Sequence, residues 1–311
     1  MTTVFISCVL GIVLDWVFGD PRRMPHVVKW VGVYVTWTER VLVKRMGRSV
    51  LVGGVLWFSV MLLFLGGYGM IHWGLSAVHP ILGLIFDGLV VFQSIAFTDL
   101  VKHVLAVAKG LGLNLETGRD RVSWIVGRDT DRMDEAAVCR AAIESGAENF
   151  NDGVIAPLFW MVLLGPVGAL FFRLSNTMDA MVGHRNKRFE KVGKLSARVD
   201  DVLGFIPARL SCLLLLGRKR LGLFGDLGED ARKHPSWNAG WPEAAMAKRL
   251  GVVIGGEMYA QGKLVQTKEM NAGARQPGRK DIVRSTQVMR RAYLWALIAG
   301  VVFWMLGSVV A

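Results

Sequence analysis

Residues 142–160, AIESGAENFNDGVIAPLFW, change character halfway. Glu144, Glu148 and Asp152 recur every four residues, the spacing of one helical face. From Gly153 onward the chain turns apolar. A carboxylate face that runs straight into an apolar segment points to an all-α protein at a membrane surface. Upstream, Thr130 or Asp131 is expected to cap a helix over 130–150, with Asp134 and Glu135 at the positive end of its dipole. Val138, Ala142, Ile143, Ala147 and Phe150 form its apolar stripe. As ordinary surface chemistry, Arg140 and Glu144 would make an ion pair worth about 0.3–0.5 kcal/mol. Position argues for more, because acids aimed at an apolar boundary repel one another and the bilayer. A divalent cation relieves both. Mg²⁺ suits the pattern, since it takes one or two carboxylates together with nucleotide phosphates. Asn149 and Asn151 add neutral oxygens nearby.

The composition agrees with a membrane reading. The 311 residues are 52% hydrophobic and include 11 Trp, with mean hydropathy +0.39. Strong spans are expected at 50–71, 81–98 and 293–311, each near the ~20 residues a bilayer requires. Weaker segments lie at 4–18, 153–174 and 202–217. The N-terminus lacks a basic n-region and a small-residue cleavage site, so 4–18 reads as a retained helix. The sequence predicts a polytopic integral membrane protein, one embedded domain over 1–311 with helical cytoplasmic loops.

The formal net charge of +12 points to anionic lipid or anionic substrates. Nucleic acid is disfavoured, because the basic residues are interleaved with apolar segments. Lys and Arg number seven in 19–49, seven in 99–152, seven in 173–201 and fifteen in 218–291, against none in 72–80. The positive-inside rule puts the charged loops in the cytoplasm and 72–80 outside. A simple crossing by 153–174 would violate that sidedness. Gly165-Pro166 predicts instead a re-entrant hairpin, and Pro207 predicts a similar break in 202–217. Asp15 and Asp87 lie in apolar segments, so Asp87 is expected to be paired, protonated or lining a polar cavity. Cys8, Cys139 and Cys212 show no metal or disulfide spacing and read as buried thiols.

Two further polar concentrations stand out. In 173–193, Asn176 and Asp179 lie one helical turn apart, ahead of Arg185, Lys187 and Arg188. That basic cluster is either a juxtamembrane patch on lipid headgroups or a phosphate clamp. In 196–210, Asp200 and Asp201 are adjacent and precede Arg209. Adjacent residues point different ways on a helix, and an N-cap role for Asp200 is the plain alternative. The loop 260–281 reads as a polar lid or mobile segment. No Walker-A loop, GxSxG or HExxH is present.

Several stretches resemble one family in order: LDWVFGDPRRMPH (14–26), SWIVGRDT (123–130), the opening stretch, NTMDAMVGHRNKRF (176–189), SARVDDVLGFIPARL (196–210) and HPSWNAGWPEAAMA (234–247). The sequence is similar to the CbiB/CobD family, the adenosylcobinamide-phosphate synthases of cobalamin biosynthesis. Departures fall at Val27, Ala180, His184, Arg185, Phe189 and Trp237, and none removes an acid named above. The resemblance implies a multi-pass enzyme of the cytoplasmic membrane, an acid–amine (carbon–nitrogen) ligase. It would join aminopropanol or its O-phosphate to the propionate of adenosylcobyric acid, using ATP and Mg²⁺. Other membrane-associated enzymes of the pathway are implied neighbours. A prenyltransferase is disfavoured for want of its Asp-rich motifs. A corrinoid-binding transporter or sensor is the alternative.

Roles follow from chemistry rather than from the resemblance. Glu144, Glu148 and Asp152 are expected to hold Mg²⁺, with Asp129 and Asp179 next in line. Arg128, Arg185 and Lys187 would hold phosphates, with Asn149 and Asn176 beside the nucleotide. Asp200 or Asp201 would serve as base or second metal ligand. Asp20, Pro21, His26, Arg209, His234, Ser236 and Asn238 are candidate substrate contacts. Glu144, Glu148, Asp179 and Asp201 are expected to converge on one magnesium-bound triphosphate.

Overall fold

The computed structural model describes residues 2–21, 24–184, 186–217, 224–260 and 262–310. It is all-α apart from one small hairpin. Among the described residues, three segments are long and apolar enough to cross a membrane: Val50–Val78, Pro80–Leu111 and Arg279–Gly307. Contacts divide the chain into two compact units. The first holds residues 1–96, 156–204 and 303–311; the second holds 97–155 and 205–302.

In the first unit, α1 (Thr2–Phe18), α2 (Val27–Met46), α3 (Val50–Val78) and α4 (Pro80–Ser94) precede α8 (Ala156–Leu164) and α9 (Pro166–Val182). α10 (Lys194–Leu216) begins here as well. Val31 and Val35 of α2, Leu56 and Val60 of α3, and Leu174 and Met178 of α9 make a buried core. The expected break at Gly165 is present, with Gly165 at φ 72°. α8 and α9 pack against each other across it. α8 follows without interruption from helical residues 135–155 and ends at Leu164, just before Gly165.

Pro207 does not break its helix. α10 runs 23 residues with Pro207 inside. A proline there removes the N–H that would bond Leu203 O. The indole of Trp160 donates to that carbonyl instead, at 3.1 Å. The span expected at 81–98 is interrupted at Ile95–Ala96, where the helical backbone lapses. Arg173 Nε donates to the Ser94 carbonyl at 2.9 Å. Asp87 is paired: Tyr68 Oη donates to it at 2.8 Å and His72 Nδ1 lies 2.9 Å away.

In the second unit, α5 (Phe97–Leu111), α6 (Leu115–Ser123), α7 (Glu135–Phe150) and a π-helical turn (Asn151–Ile155) come first. α11 (Phe224–Ala231), α12 (Gly240–Leu250), β1 (Glu257–Ala260) and β2 (Lys263–Gln266) follow. α13 (Arg279–Val310) starts well before the expected 293, and most of its length belongs to this unit. Part of 260–281 is therefore ordered strand rather than loop, since β1 and β2 pair antiparallel. All three cysteines are buried and free, as expected.

Candidate functional site

Asp134, not Thr130 or Asp131, caps α7: its Oδ1 accepts from Ala137 N at 2.7 Å. Residues 130–133 are already used in a turn, with Met133 N donating to Thr130 O. Val138, Ala142, Ile143, Ala147 and Phe150 are fully buried, as the stripe predicted. The opposite face carries Arg140, Glu144 and Glu148 into a cavity of about 240 Å³. Glu144 does not pair with Arg140. Its Oε2 meets Arg128 Nη1 at 2.8 Å and its Oε1 accepts Gly255 N at 2.7 Å. Arg140 donates to Gln276 instead, at 2.6 Å. Glu144 is 5% exposed, so losing Arg128 would strand a buried charge.

The remaining walls come from α12 and from the segments before and after it. His234, Lys233, Glu243, Gly255, Gly256, Tyr259, Thr267 and Lys268 line the same cavity with Arg132 and Asp134. Gly255 and Gly256 sit at φ 80° and 87°, and a side chain on Gly255 would strike the Lys268 carbonyl. Only glycine lets the chain turn so close to Glu144. Asp129 tethers the hairpin rather than lining the cavity: its Oδ2 accepts Gly262 N at 2.6 Å, and its N–H bonds Tyr259 O at 2.9 Å.

Electrostatics set this cluster apart. Burial, and then the charges of Asp152 and Glu144, push Glu148 up to about 7, against the pull of Arg128. Burial followed by Glu144 and Glu148 holds Glu243 well above the usual carboxylate range. Burial holds His234 below the ordinary imidazole value. Its Nδ1 accepts Ser236 N at 3.0 Å, and its Nε2 lies 3.8 Å from Glu243 Oε1.

Other expected residues serve local structure. Asn149 turns back on its own helix, donating to Ser145 O at 2.9 Å. Asn151 accepts from Ser211 at 2.8 Å and donates to Asp152 at 2.7 Å. The π-helical turn puts Asp152 out of plain α-register, a change sequence spacing cannot show. Ser236 Oγ accepts the N–H of Asn238 and of Ala239. Arg209 donates to Asn238 Oδ1 at 2.9 Å and lies over the Phe205 and Trp241 rings.

The first unit has its own acidic group. Asp200 lies inside α10 and so is no N-cap; Asn176 Nδ2 donates to it at 3.3 Å. Asp179 is raised by burial and then by the like charge of Asp201. The Asn176–Asp200 hydrogen bond thus joins α9 to α10, while Asp179 and Asp201 repel. Arg188 of the basic cluster is drawn to Glu39, 3.0 Å away. Lys187 is exposed, and Arg185 lies outside the described residues. Asp20 is exposed and Pro21 half-buried. His26 caps α2, accepting Val28 N at 3.2 Å, and is lowered chiefly by burial.

Among the described residues no three His, Cys, Asp or Glu side chains are set to hold a metal ion. The donor set in the cavity is carboxylates beside cations, the form that suits Mg²⁺ arriving with phosphates. Sequence reasoning missed Glu243, Arg132, Lys233, Lys268 and the glycine pair. Glu243 was within reach, a lone acid in the apolar run GWPEAAMA.

The model for the CobD/Cbib protein family matches residues 8–289. A "Cobalamin biosynthesis protein CobD" of Halalkalibacterium halodurans is 40% identical over 302 residues, covering 94% of each chain. A protein of the same name from Klebsiella pneumoniae is 36% identical over 322 residues, covering 98% of this chain and 99% of its own. The "Cobalamin biosynthesis protein CbiB" of Salmonella typhimurium is 35% identical over 314 residues, covering 95% of each. No solved structure matches.

Proposed function

The chain belongs to the CobD/CbiB family of cobalamin biosynthesis proteins, and from that premise we propose that it is an ATP-dependent amide ligase. It joins aminopropanol, or its O-phosphate, to the propionate carboxylate of adenosylcobyric acid. The observation that supports this reading is the mixed-charge cavity of the second unit. Arg128, Arg132, Arg140, Lys233 and Lys268 line it together with Asp134, Glu144, Glu148, Glu243 and Glu257. Ten ionisable side chains around about 240 Å³ suit a phosphorylated, metal-linked or zwitterionic ligand rather than an apolar one. The corrinoid ring is too large for such a space, so only its propionate arm reaches in.

A carboxylate and an amine do not condense at neutral pH without activation. The propionate oxygen attacks the terminal phosphorus of ATP, ADP leaves, and an acyl phosphate forms on the corrinoid. The free amine then attacks the acyl carbon, orthophosphate leaves, and the nitrogen gives up a proton. Arginines and lysines of the cavity hold the phosphate charge as it shifts. Glu148 and Glu144 would hold Mg²⁺, with Asp152 adjacent. When bound, the ion neutralises the triphosphate and polarises its terminal phosphorus. Glu243 lines the same cavity as a candidate group for the proton the amine gives up.

Protein reconstituted in lipid is incubated with adenosylcobyric acid, ATP, Mg²⁺ and either amine, and the corrinoid is weighed by mass spectrometry. The expected gain is one amine less one water, only when all components are present. A corrinoid that binds but keeps its mass would make the protein a transporter or sensor.

A further inference from the structure

α2 lies outside every expected span, yet one of its faces is unsuited to water. Its inner face, with Val31, Val35, Thr38 and Glu39, is buried in the core of the first unit. Trp30, Val33 and Trp37 are 57%, 73% and 63% exposed. Their i, i+3, i+7 spacing makes one stripe along the outer face. Arg40 and Lys44 continue that stripe for two more turns, with Arg45 and Arg48 beside them, all exposed. Glu39, the helix's sole acid, turns inward to Arg188, and no acid among the described residues forms an ion pair with these cations.

The outer face therefore has an aromatic half and a cationic half. Indoles favour the boundary between acyl chains and headgroups, while Lys and Arg reach the headgroup phosphates. Continuity identifies the occupant. Before α2, the chain leaves α1 through Trp16, Val17 and Phe18, which are 63%, 66% and 58% exposed. After α2, it enters the α3 span at Val50 and Leu51, themselves 48% and 67% exposed. Exposed apolar side chains therefore flank α2 at both ends.

We propose that α2 is an interfacial helix that binds anionic phospholipid. Trp30, Val33 and Trp37 seat in the outer acyl region of the leaflet where α3 enters. Arg40, Lys44, Arg45 and Arg48 engage lipid phosphates. This explains why the helix carries three apolar side chains into the exterior without being a span.

The test uses the full-length protein in nanodiscs of phosphatidylcholine, with or without phosphatidylglycerol. A spin label is attached at Val33→Cys or at Lys44→Cys. Cys8, Cys139 and Cys212 are buried, so wild-type background remains usable should a cysteine-free chain fold poorly. The label at 33 should be accessible to oxygen and shielded from a water-soluble nickel chelate, with the label at 44 shallower. The quadruple change of Arg40, Lys44, Arg45 and Arg48 to Gln should lower phosphatidylglycerol retained on the purified protein several-fold. High nickel access at 33 would mean a water-exposed face and overturn the proposal. Low access to both reagents would mean a covering protein or second copy, and would overturn it equally.

Discussion

Two acidic clusters invite comparison. In the first unit, Asn176, Asp179, Asp200 and Asp201 come from two neighbouring helices within 26 residues of chain. An amide donates to one acid there, and the charge of Asp201 acts on Asp179. In the second unit, Glu144, Glu148 and Glu243 meet Arg128, Arg132 and Lys268 from segments far apart in sequence, around one cavity. The first arrangement can fasten one helix to another. In the second, Glu144 and Arg128 form a close ion pair, and the other ionisable groups around the cavity leave room for a charged ligand. Similar residue types thus serve different ends according to how many elements bring them together.

The sharpest way to separate the clusters is charge removal. Glu148→Gln should lower amide formation at least 10²-fold, the scale on which loss of a preorganised charged group is felt in catalysis, while membrane insertion is unchanged. Asp200→Asn should cost far less, because an amide can still bond Asn176. Comparable losses in both would erase the distinction.

Arg128→Ala probes the fold beneath the site. It leaves Glu144 buried without its ion-pair partner, a change that costs about 3–5 kcal/mol when one member of a buried pair is removed. Thermal unfolding in detergent should show a large drop, and Arg128→Lys should recover part of it.

pH gives a finer test. Glu148 is pushed from 4.5 up to about 7, so the folded chain holds a proton that the unfolded chain has lost. Stability from this group is present below pH 4.5 and is lost as pH rises through 7. A bound cation needs the proton gone, so Mg²⁺-dependent activity should climb through the same window. Glu148→Gln should flatten the stability trend.

The smallest effect belongs to the first cluster. Asp179→Asn relieves repulsion by Asp201, so thermal stability should hold or rise by at most about 1 kcal/mol. A large loss would show Asp179 in a role beyond this pairing.

Helical class, the apolar stripe of α7 and the buried thiols were readable because they rest on local periodicity and burial preference. The Gly165 break was readable for the same reason. The continuity of α10 was not, because a side chain 47 residues from Pro207, Trp160, satisfies the carbonyl that proline leaves open. Glu144's true partner was hidden likewise: Arg140 stands one turn away, yet Arg128 and Gly255 reach it through the fold. The π-helical turn shifts Asp152 by a register step that no residue type announces. Local spacing named most of the acids; only tertiary structure showed which cations face them.

The most direct test compares wild type with Glu148→Gln in matched nanodiscs, following corrinoid amide formation with ATP and Mg²⁺ titrated. Wild type should turn over, with ADP released in step with product, and the variant should fall to background at every Mg²⁺ concentration while unfolding at an equal or higher temperature. Full turnover by the variant would contradict a role for this cavity in the reaction.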